Sequence, residues 1–275
     1  MGVEADRREE LLAADRLLGI DPLRDPGLVT LAGDWHSDYA FVERLVAATP
    51  AGHEGVRLIV QLGDLGVWPG PAGTAYLDDV ALLLEEAGAV VLFIDGNHEN
   101  HPLLLSHPVR FDGLRVLRPR LYHLSRGFRW CWHGKTWLAV GGAHSIVRPR
   151  LTPNVDWSPQ ELITADQARL ATAGGPVDIM VTHDCPAGVK PPGIREPAIG
   201  QPSELYDELV VEAEHRQLVR EIVEEVRPVR LIHGHYHVRY DAHLQLRVGT
   251  TCCITGLGRA GTLKGNMLVL DLSDG

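Results

Sequence analysis

The chain lacks any apolar run near the roughly eighteen residues that crossing a bilayer takes. No membrane partner is therefore expected. It also lacks cysteines at framework spacing. The four are Cys131, Cys185, Cys252 and Cys253, and the adjacent pair is poorly placed to bridge with itself. They read as reduced thiols, which points to a cytoplasmic protein. Residues 1–16 are charged and helical in pattern, so they do not read as a signal peptide. Basic charge is in short supply as well: 26 Lys and Arg stand against 36 Asp and Glu, a net charge of −10. Non-specific nucleic-acid binding needs a basic face to displace counterions. Nucleic acid is discounted as a partner on that ground, whereas a small nucleotide substrate is not. There is no internal repeat, low-complexity tract or domain linker. A chain of 275 residues can nevertheless build one large domain with a full core.

What is present is an alternation of apolar runs and helical patterns. Residues 4–18 read as an amphipathic helix with a stripe of Leu11, Leu12, Ala14, Leu17 and Leu18, stopped by Gly19. It is expected to be a packing appendage, a helical extension over residues 1–20 ahead of a domain over residues 27–275. Residues 28–32, 56–62 and 89–94 are apolar strands, with helices predicted at 38–48 and 72–87. Strands alternating with helices imply parallel pairing and right-handed crossovers. Between residues 114 and 143, shorter runs separated by Gly-containing turns suggest antiparallel strands of a second sheet. Ser158 is expected to cap a helix to Ala173, with Glu161 completing a capping box. Residues 177–181 form a further strand, and Ser203 is expected to cap a helix to Val226. Between them, residues 184–202 form a long loop rich in Pro and Gly. Such a loop is usually functional or disordered, and it is expected to border a substrate entrance. Strands at 230–232, 244–248, 252–255 and 267–272 complete the chain.

Each parallel-type strand ends in the same kind of residue. Gly33-Asp34-Trp35-His36 follows the first strand, Gly63-Asp64 the second and Gly96-Asn97-His98-Glu99 the third. Thr182-His183 and Gly234-His235-Tyr236-His237 follow two later ones. Functional groups of open α/β sheets gather at the carboxyl ends of the strands. Asp34/His36 and His235/His237 are i, i+2 pairs, which an extended segment aims to one side. Singly, an Asp after Gly is a common turn former, and a lone His is a common surface or core residue. Eight such residues at the strand ends are another matter. Burying them together is costly unless something cationic compensates. A metal pair answers that need, and a mixed N/O donor set without thiolate suits Mn, Fe or Zn.

In order and spelling these five stretches resemble the calcineurin-like metallophosphoesterase superfamily. Its signature runs Asp-x-His, Gly-Asp-x-x-Asp-Arg, Gly-Asn-His-(Asp/Glu), a lone His, then Gly-His-x-His. The resemblance implies an α/β fold, a four-layer α/β/β/α sandwich of two mixed sheets flanked by helices. It implies a metal-dependent phosphoesterase that hydrolyses a phosphomonoester or small phosphodiester through hydroxide held by two divalent ions, with Mn the first choice. It puts Asp34, His36 and His237 on one ion, Asn97, His183 and His235 on the other, and Asp64 across both. Ions about 3.5–4 Å apart repel, so an anionic bridge is needed. His98 is implied either as general acid for the leaving oxygen or as a group stabilising the phosphoryl transition state.

One departure matters. Val67 and Trp68 stand where the signature has the Asp that orients the catalytic His and the Arg that holds phosphate. Arg148 and Arg150 are candidates for the phosphate contact, with Lys190 and Arg195 of the long loop behind them. His144, after Gly-Gly-Ala, is a further candidate for facing the site. Two other functions fit the same motifs, a nuclease acting on DNA or RNA and a non-catalytic interaction scaffold of the same fold. The acidic charge speaks against the first and the intact ligand set against the second. Neither the physiological substrate nor the oligomeric state is legible in these residues.

Overall fold

The computed structural model describes residues 2–198 and 202–273. Residues 199–201 of the predicted long loop, residue 1 of the predicted extension and residues 274–275 of the predicted domain lie outside the described residues. In chain order the elements are α1 (Gly2–Leu17), β1 (Leu28–Ala32), α2 (Tyr39–Ala48), β2 (Arg57–Gln61), α3 (Gly70–Glu86), β3 (Ala89–Phe93), α4 (His101–Ser106), β4 (Arg115–Arg118), β5 (Leu121–His123), β6 (Arg129–Trp132) and β7 (Lys135–Val140). They continue as α5 (Ala165–Ala173), β8 (Ile179–Thr182), α6 (Ser203–Val226), β9 (Arg230–His233), β10 (Tyr240–Gln245), β11 (Thr251–Gly256), α7 (Leu263–Asn266) and β12 (Met267–Asp271).

The strands form two six-stranded sheets, ordered β12-β1-β2-β3-β5-β4 and β10-β11-β9-β8-β7-β6. In each sheet the four central strands run parallel. An antiparallel strand closes every edge. Central strands covered on both faces read as unbroken apolar runs, which is why they are legible in the sequence. Period-two alternation then assigns each side chain to a layer. Val29, Leu31, Val60 and Leu92 of the first sheet meet Trp130, Trp132, Trp137 and Val181 of the second in a core between the sheets. Ile59, Val91 and Phe93 face outward onto Phe41 and Leu45 of α2 and Leu77 and Val80 of α3. Leu138, Met180 and Leu231 face outward onto Val219, Ile222 and Val223 of α6. Three cores thus separate four layers, the α/β/β/α sandwich expected.

Several local expectations are corrected. The short runs between residues 114 and 143 do not share a sheet. β4 and β5 extend the first along the open edge of β3, and β6 and β7 extend the second along β8. Both pairs carry local antiparallel turns, so turn spacing alone could not separate them. Ser158 caps only a 3-10 turn, Pro159–Glu161. The capping box belongs to Thr164 and Gln167 at the start of α5. Ser203 is the first residue of α6 rather than its cap, a position held by Pro202. The strand predicted at 244–248 lies earlier, as β10, because the chain turns between Leu246 and Thr250. In α1 the stripe is borne out only in part: Leu12 packs on the core between the sheets, but the buried residue is Asp15. Asp15 accepts from Tyr122 Oη (2.5 Å) and Arg110 Nη1 (2.6 Å), while Leu17 is 88% exposed.

One buried ion pair ties the two sheets together. Asp95, just past β3, accepts from Arg126 Nε (2.9 Å) and Nη2 (2.5 Å). The same guanidinium donates to the carbonyls of Gln160 (2.8 Å), Glu161 (3.0 Å) and Leu162 (2.6 Å), which precede α5 on the other sheet. Burial works against the Asp95 charge, but Arg126 and His123 hold the carboxyl well below the usual range. Asp95→Asn leaves Arg126 buried and unpaired, and should cost about 3–5 kcal/mol in denaturant unfolding. A depressed carboxylate contributes stability above its unfolded pKa near ~4 and loses it as pH falls through the folded value. The wild-type advantage should therefore hold from about pH 5 to about pH 8 and shrink only in strong acid. A cost under about 1 kcal/mol at neutral pH would show that the pair does not clamp the sheets.

Candidate metal centre

The carboxyl ends of β1, β2, β3, β8 and β9 meet at one edge of the sandwich, drawing side chains from both sheets. The chain turns sharply there. His36 (φ 48°), Asp64 (φ 56°), His235 (φ 70°) and His237 (φ 58°) all occupy the left-handed region that side chains beyond glycine rarely adopt. The expected extended i, i+2 geometry is therefore not what aims the histidine pairs. β9 ends at His233, and the two imidazoles that follow diverge. His237 lies with its ring 4.9 Å from that of His36, and His235 lies 5.1 Å from His183. The residues between the pairs are anchors. Trp35 is fully buried in the outer core. Tyr236 Oη bonds Asp184 Oδ1 and Glu212 Oε1, both at 3.0 Å.

Asp34, His36, Asp64 and His237 offer four donor atoms within 4.8 Å of one another. His36 Nε2 is 3.0 Å from His237 Nε2 and 3.8 Å from both Asp34 Oδ2 and Asp64 Oδ2. A second group adjoins the first. His183 Nε2 lies 3.3 Å from Asp64 Oδ1 and 3.1 Å from Asn97 Oδ1. Its Nδ1 donates to the Leu62 carbonyl at 2.6 Å, which leaves Nε2 facing the site. Backbone N–H groups anchor both carboxylates: His98 N donates to Asp64 Oδ1 (2.8 Å) and His235 N to Asp34 Oδ1 (3.0 Å). The loops approach too closely for a larger residue at two glycines. A Cβ on Gly96 would overlap Asp64 Oδ1, and one on Gly234 would overlap Asp34 Oδ1.

Charge in this group is unbalanced. Burial works against ionised Asp64, but His183 holds it well below the usual carboxylate range. Burial would likewise lower His183, yet Asp64 outweighs it and raises the imidazole to about 10. Desolvation lowers His36, leaving it a neutral imidazole, the form that donates a lone pair to a metal. Asp34 Oδ2 is buried and has no hydrogen-bond donor among the described residues, although His237 Nε2 is 3.0 Å away. An orphaned carboxylate oxygen among converging imidazole nitrogens fits a divalent cation with nitrogen and oxygen ligands.

The family model for calcineurin-like phosphoesterase matches residues 27–239. The chain belongs to the calcineurin-like phosphoesterase family. No curated protein matches it by sequence. Among solved structures it is similar to TT1561 of Thermus thermophilus, with 14% identity and a TM-score of 0.48 over 90% of this chain and 94% of that one. As a calcineurin-like phosphoesterase it belongs among metal-dependent hydrolases of phosphate esters, and its candidate ligand cluster agrees with that class.

Around this phosphoesterase cluster opens a cavity of about 380 Å³, lined by Asp64, Asn97, His98, His235 and His237 on one side and His144, Ser145, Ile194 and Arg195 on the other. His98 is half-buried, and its ring centroid is 5.4 Å from that of His36. Among the described residues no side chain hydrogen-bonds its ring. His144 reaches the cavity wall but gives Nε2 to Glu208 Oε2 at 2.7 Å. Arg148 turns to the same carboxylate at 2.9 Å, and Arg150 is exposed, so neither lines the cavity. Among the described residues Arg195 is the one arginine or lysine on its wall, which brings part of the long loop to the entrance. Lys190 pairs with Glu196 instead (3.2 Å). Residue patterns gave no hint that Glu161, Glu208 or Glu212 belongs near the site. They approach it from α6 and the segment before α5, and no local motif marks them for that place.

Among the described residues Asp64 is the one side chain that faces both donor groups. Asp64→Asn should therefore abolish metal uptake more completely than Asp34→Asn or His183→Asn. Metal content after Mn loading and desalting, read beside a thermal melt, checks this. Equal residual metal in all three folded variants would deny Asp64 its shared position.

Proposed function

We propose that this protein is a dinuclear metal-dependent phosphoesterase that hydrolyses a phosphomonoester or a small phosphodiester. The observation that carries the reading is Asp64, a buried carboxylate with one oxygen toward His183 and the other toward His36, on the wall of an open cavity. Asp34, His36 and His237 would hold one divalent cation and Asn97, His183 and His235 the other, with Asp64 serving both. Mn is the first candidate, followed by Fe or Zn. When bound, such a pair supplies positive charge to the phosphoryl oxygens and acidifies water.

The chain's own contribution to the chemistry is His98. Its backbone N–H is fixed to Asp64, while its ring faces the cavity without a partner among the described residues. From there it can give a proton to the leaving oxygen. Val67 is buried in the outer core and offers no carboxylate to orient that ring. General acids contribute about 10²–10⁴-fold, and an unoriented one belongs at the lower end. A small substrate is favoured by the size of the cavity and by the net charge of −10. Four free cysteines, two of them exposed, favour a reducing compartment such as the cytoplasm. Among the described residues no helix is long and apolar enough to cross a membrane.

A Mn-supplemented panel of p-nitrophenyl phosphate, bis-p-nitrophenyl phosphate and a labelled oligonucleotide tests the reading. Turnover of a small ester with an intact oligonucleotide is expected. Oligonucleotide cleavage would make the protein a nuclease, and silence on all three would leave a scaffold. His98→Gln should slow an alkyl phosphate by about 10²-fold and p-nitrophenyl phosphate far less, because phenolate leaves unaided. Equal losses on both substrates would assign His98 to phosphate binding rather than proton transfer.

A further inference from the structure

We infer that Ser145 and Glu161 are positioning residues that lock the Asn97 side chain with its oxygen turned toward His183. This deepens the two-metal reading and rests on it. Glu161, expected from its spacing to serve a helix cap, is instead fully buried behind the cavity wall. Its Oε1 accepts from Ser145 N at 3.1 Å and its Oε2 from Ser145 Oγ at 2.9 Å. Burial raises the Glu161 carboxyl to about 7, and in its ionised form it takes the one proton a serine hydroxyl has to give. Towards its other neighbour Ser145 Oγ can only accept. That neighbour is Asn97 Nδ2, at 2.9 Å. The polarity of the chain thus runs one way, from amide nitrogen to hydroxyl to carboxylate. Asn97 Oδ1 is left on the far side, 3.1 Å from His183 Nε2.

The direction matters because only the oxygen of an amide is a useful donor to a metal. If Asn97 turned over, two N–H groups would face the second donor group in place of a lone pair. Nothing else bonds Asn97 Nδ2 among the described residues, so the hydroxyl fixes that end of the amide while His183 Nε2 faces the other. The Arg126 clamp sets the distance across which this works. It holds the Glu161 carbonyl at 3.0 Å and also binds Asp95, two residues before Asn97. One guanidinium therefore fixes the spacing between the carboxylate and the amide that it polarises.

The test uses wild type, Ser145→Ala, Ser145→Thr and Glu161→Gln, with two readouts. Calorimetric Mn titration counts equivalents and their affinities, and NMR on metal-free protein follows solvent exchange of the Asn97 side-chain amide protons. In Ser145→Ala the first equivalent should be retained and the second should bind about 10–100-fold more weakly. Its Asn97 amide protons should exchange faster, and Ser145→Thr should restore both properties. Glu161→Gln should lie between, and it carries the test if Ser145→Ala does not fold. Wild-type affinity and exchange in Ser145→Ala would overturn the inference. So would equal loss of both equivalents together with a lowered melting temperature, the mark of a merely structural prop. Wild type that takes up fewer than two Mn would overturn the two-metal reading instead. The amide-exchange comparison would then decide the Asn97 lock by itself.

Discussion

Two carboxylates, Asp34 and Asp64, sit at the junction of the two sheets with essentially no solvent contact (0% and 1% exposed). Burying an ion without a partner costs several kcal/mol, and much of the surrounding structure answers that cost. The solution is the same at both. One oxygen is tied to a backbone N–H from another strand's loop, His98 for Asp64 and His235 for Asp34. The other oxygen is left toward His36, joined at Asp34 by His237, while the tied oxygen of Asp64 also faces His183. The chain reverses within a few residues at the same strand ends, where four candidate ligands have positive φ. A non-glycine residue in that region costs on the order of 1–3 kcal/mol. Burial of Trp35 and Leu65 in the outer core and the bonded hydroxyl of Tyr236 hold the strained turns in place.

Because donors come from both sheets, the site depends on the spacing between the sheets. The core between them is aromatic and rigid: Trp130 and Trp137 stack at 5.5 Å, with Trp132 edge-on to both. Close-packed interiors transmit displacement rather than absorbing it. Arg126 adds a polar fastening near the strand ends, where the aromatic core gives way to the site. The layers and the candidate centre are therefore one mechanical unit, and a change in either would be felt in the other.

The parallel strands and their terminal residues were legible because both signals are local. An apolar run marks a doubly covered strand, and Gly followed by Asp, Asn or His marks where it stops. Sheet membership was not legible for β4 and β5, because it depends on which open edge a hairpin meets far away in sequence. Ser158 and Glu161 matched a capping box by spacing alone. Tertiary contact claimed Glu161 instead, and Thr164 with Gln167 took over the cap. The pairs Asp34/His36 and His235/His237 were read as extended i, i+2 pairs, and that geometry is wrong, since no residue pattern announces left-handed turns at histidine. Arg148 read as a phosphate contact because Glu208, the carboxylate that engages it, lies sixty residues away on α6.

The lost Asp-Arg of the second motif has a narrower consequence than the missing residues suggest. Val67 has joined the outer core, and its carbonyl accepts from Asn100 N at 2.8 Å. Glu99 keeps the Asp64 loop in place from the opposite side. Its oxygens accept from Gly66 N (3.2 Å) and Gly96 N (2.6 Å), so one buried side chain spans the loops of β2 and β3. Those loops remain fastened without the absent Asp. What that Asp would have supplied is the orientation of His98, whose ring has neither a hydrogen bond nor an ion pair among the described residues. The departure falls on His98, the proposed proton donor, and spares the candidate ligands. That separates how tightly such a site can hold cations from how well it can protonate a leaving group.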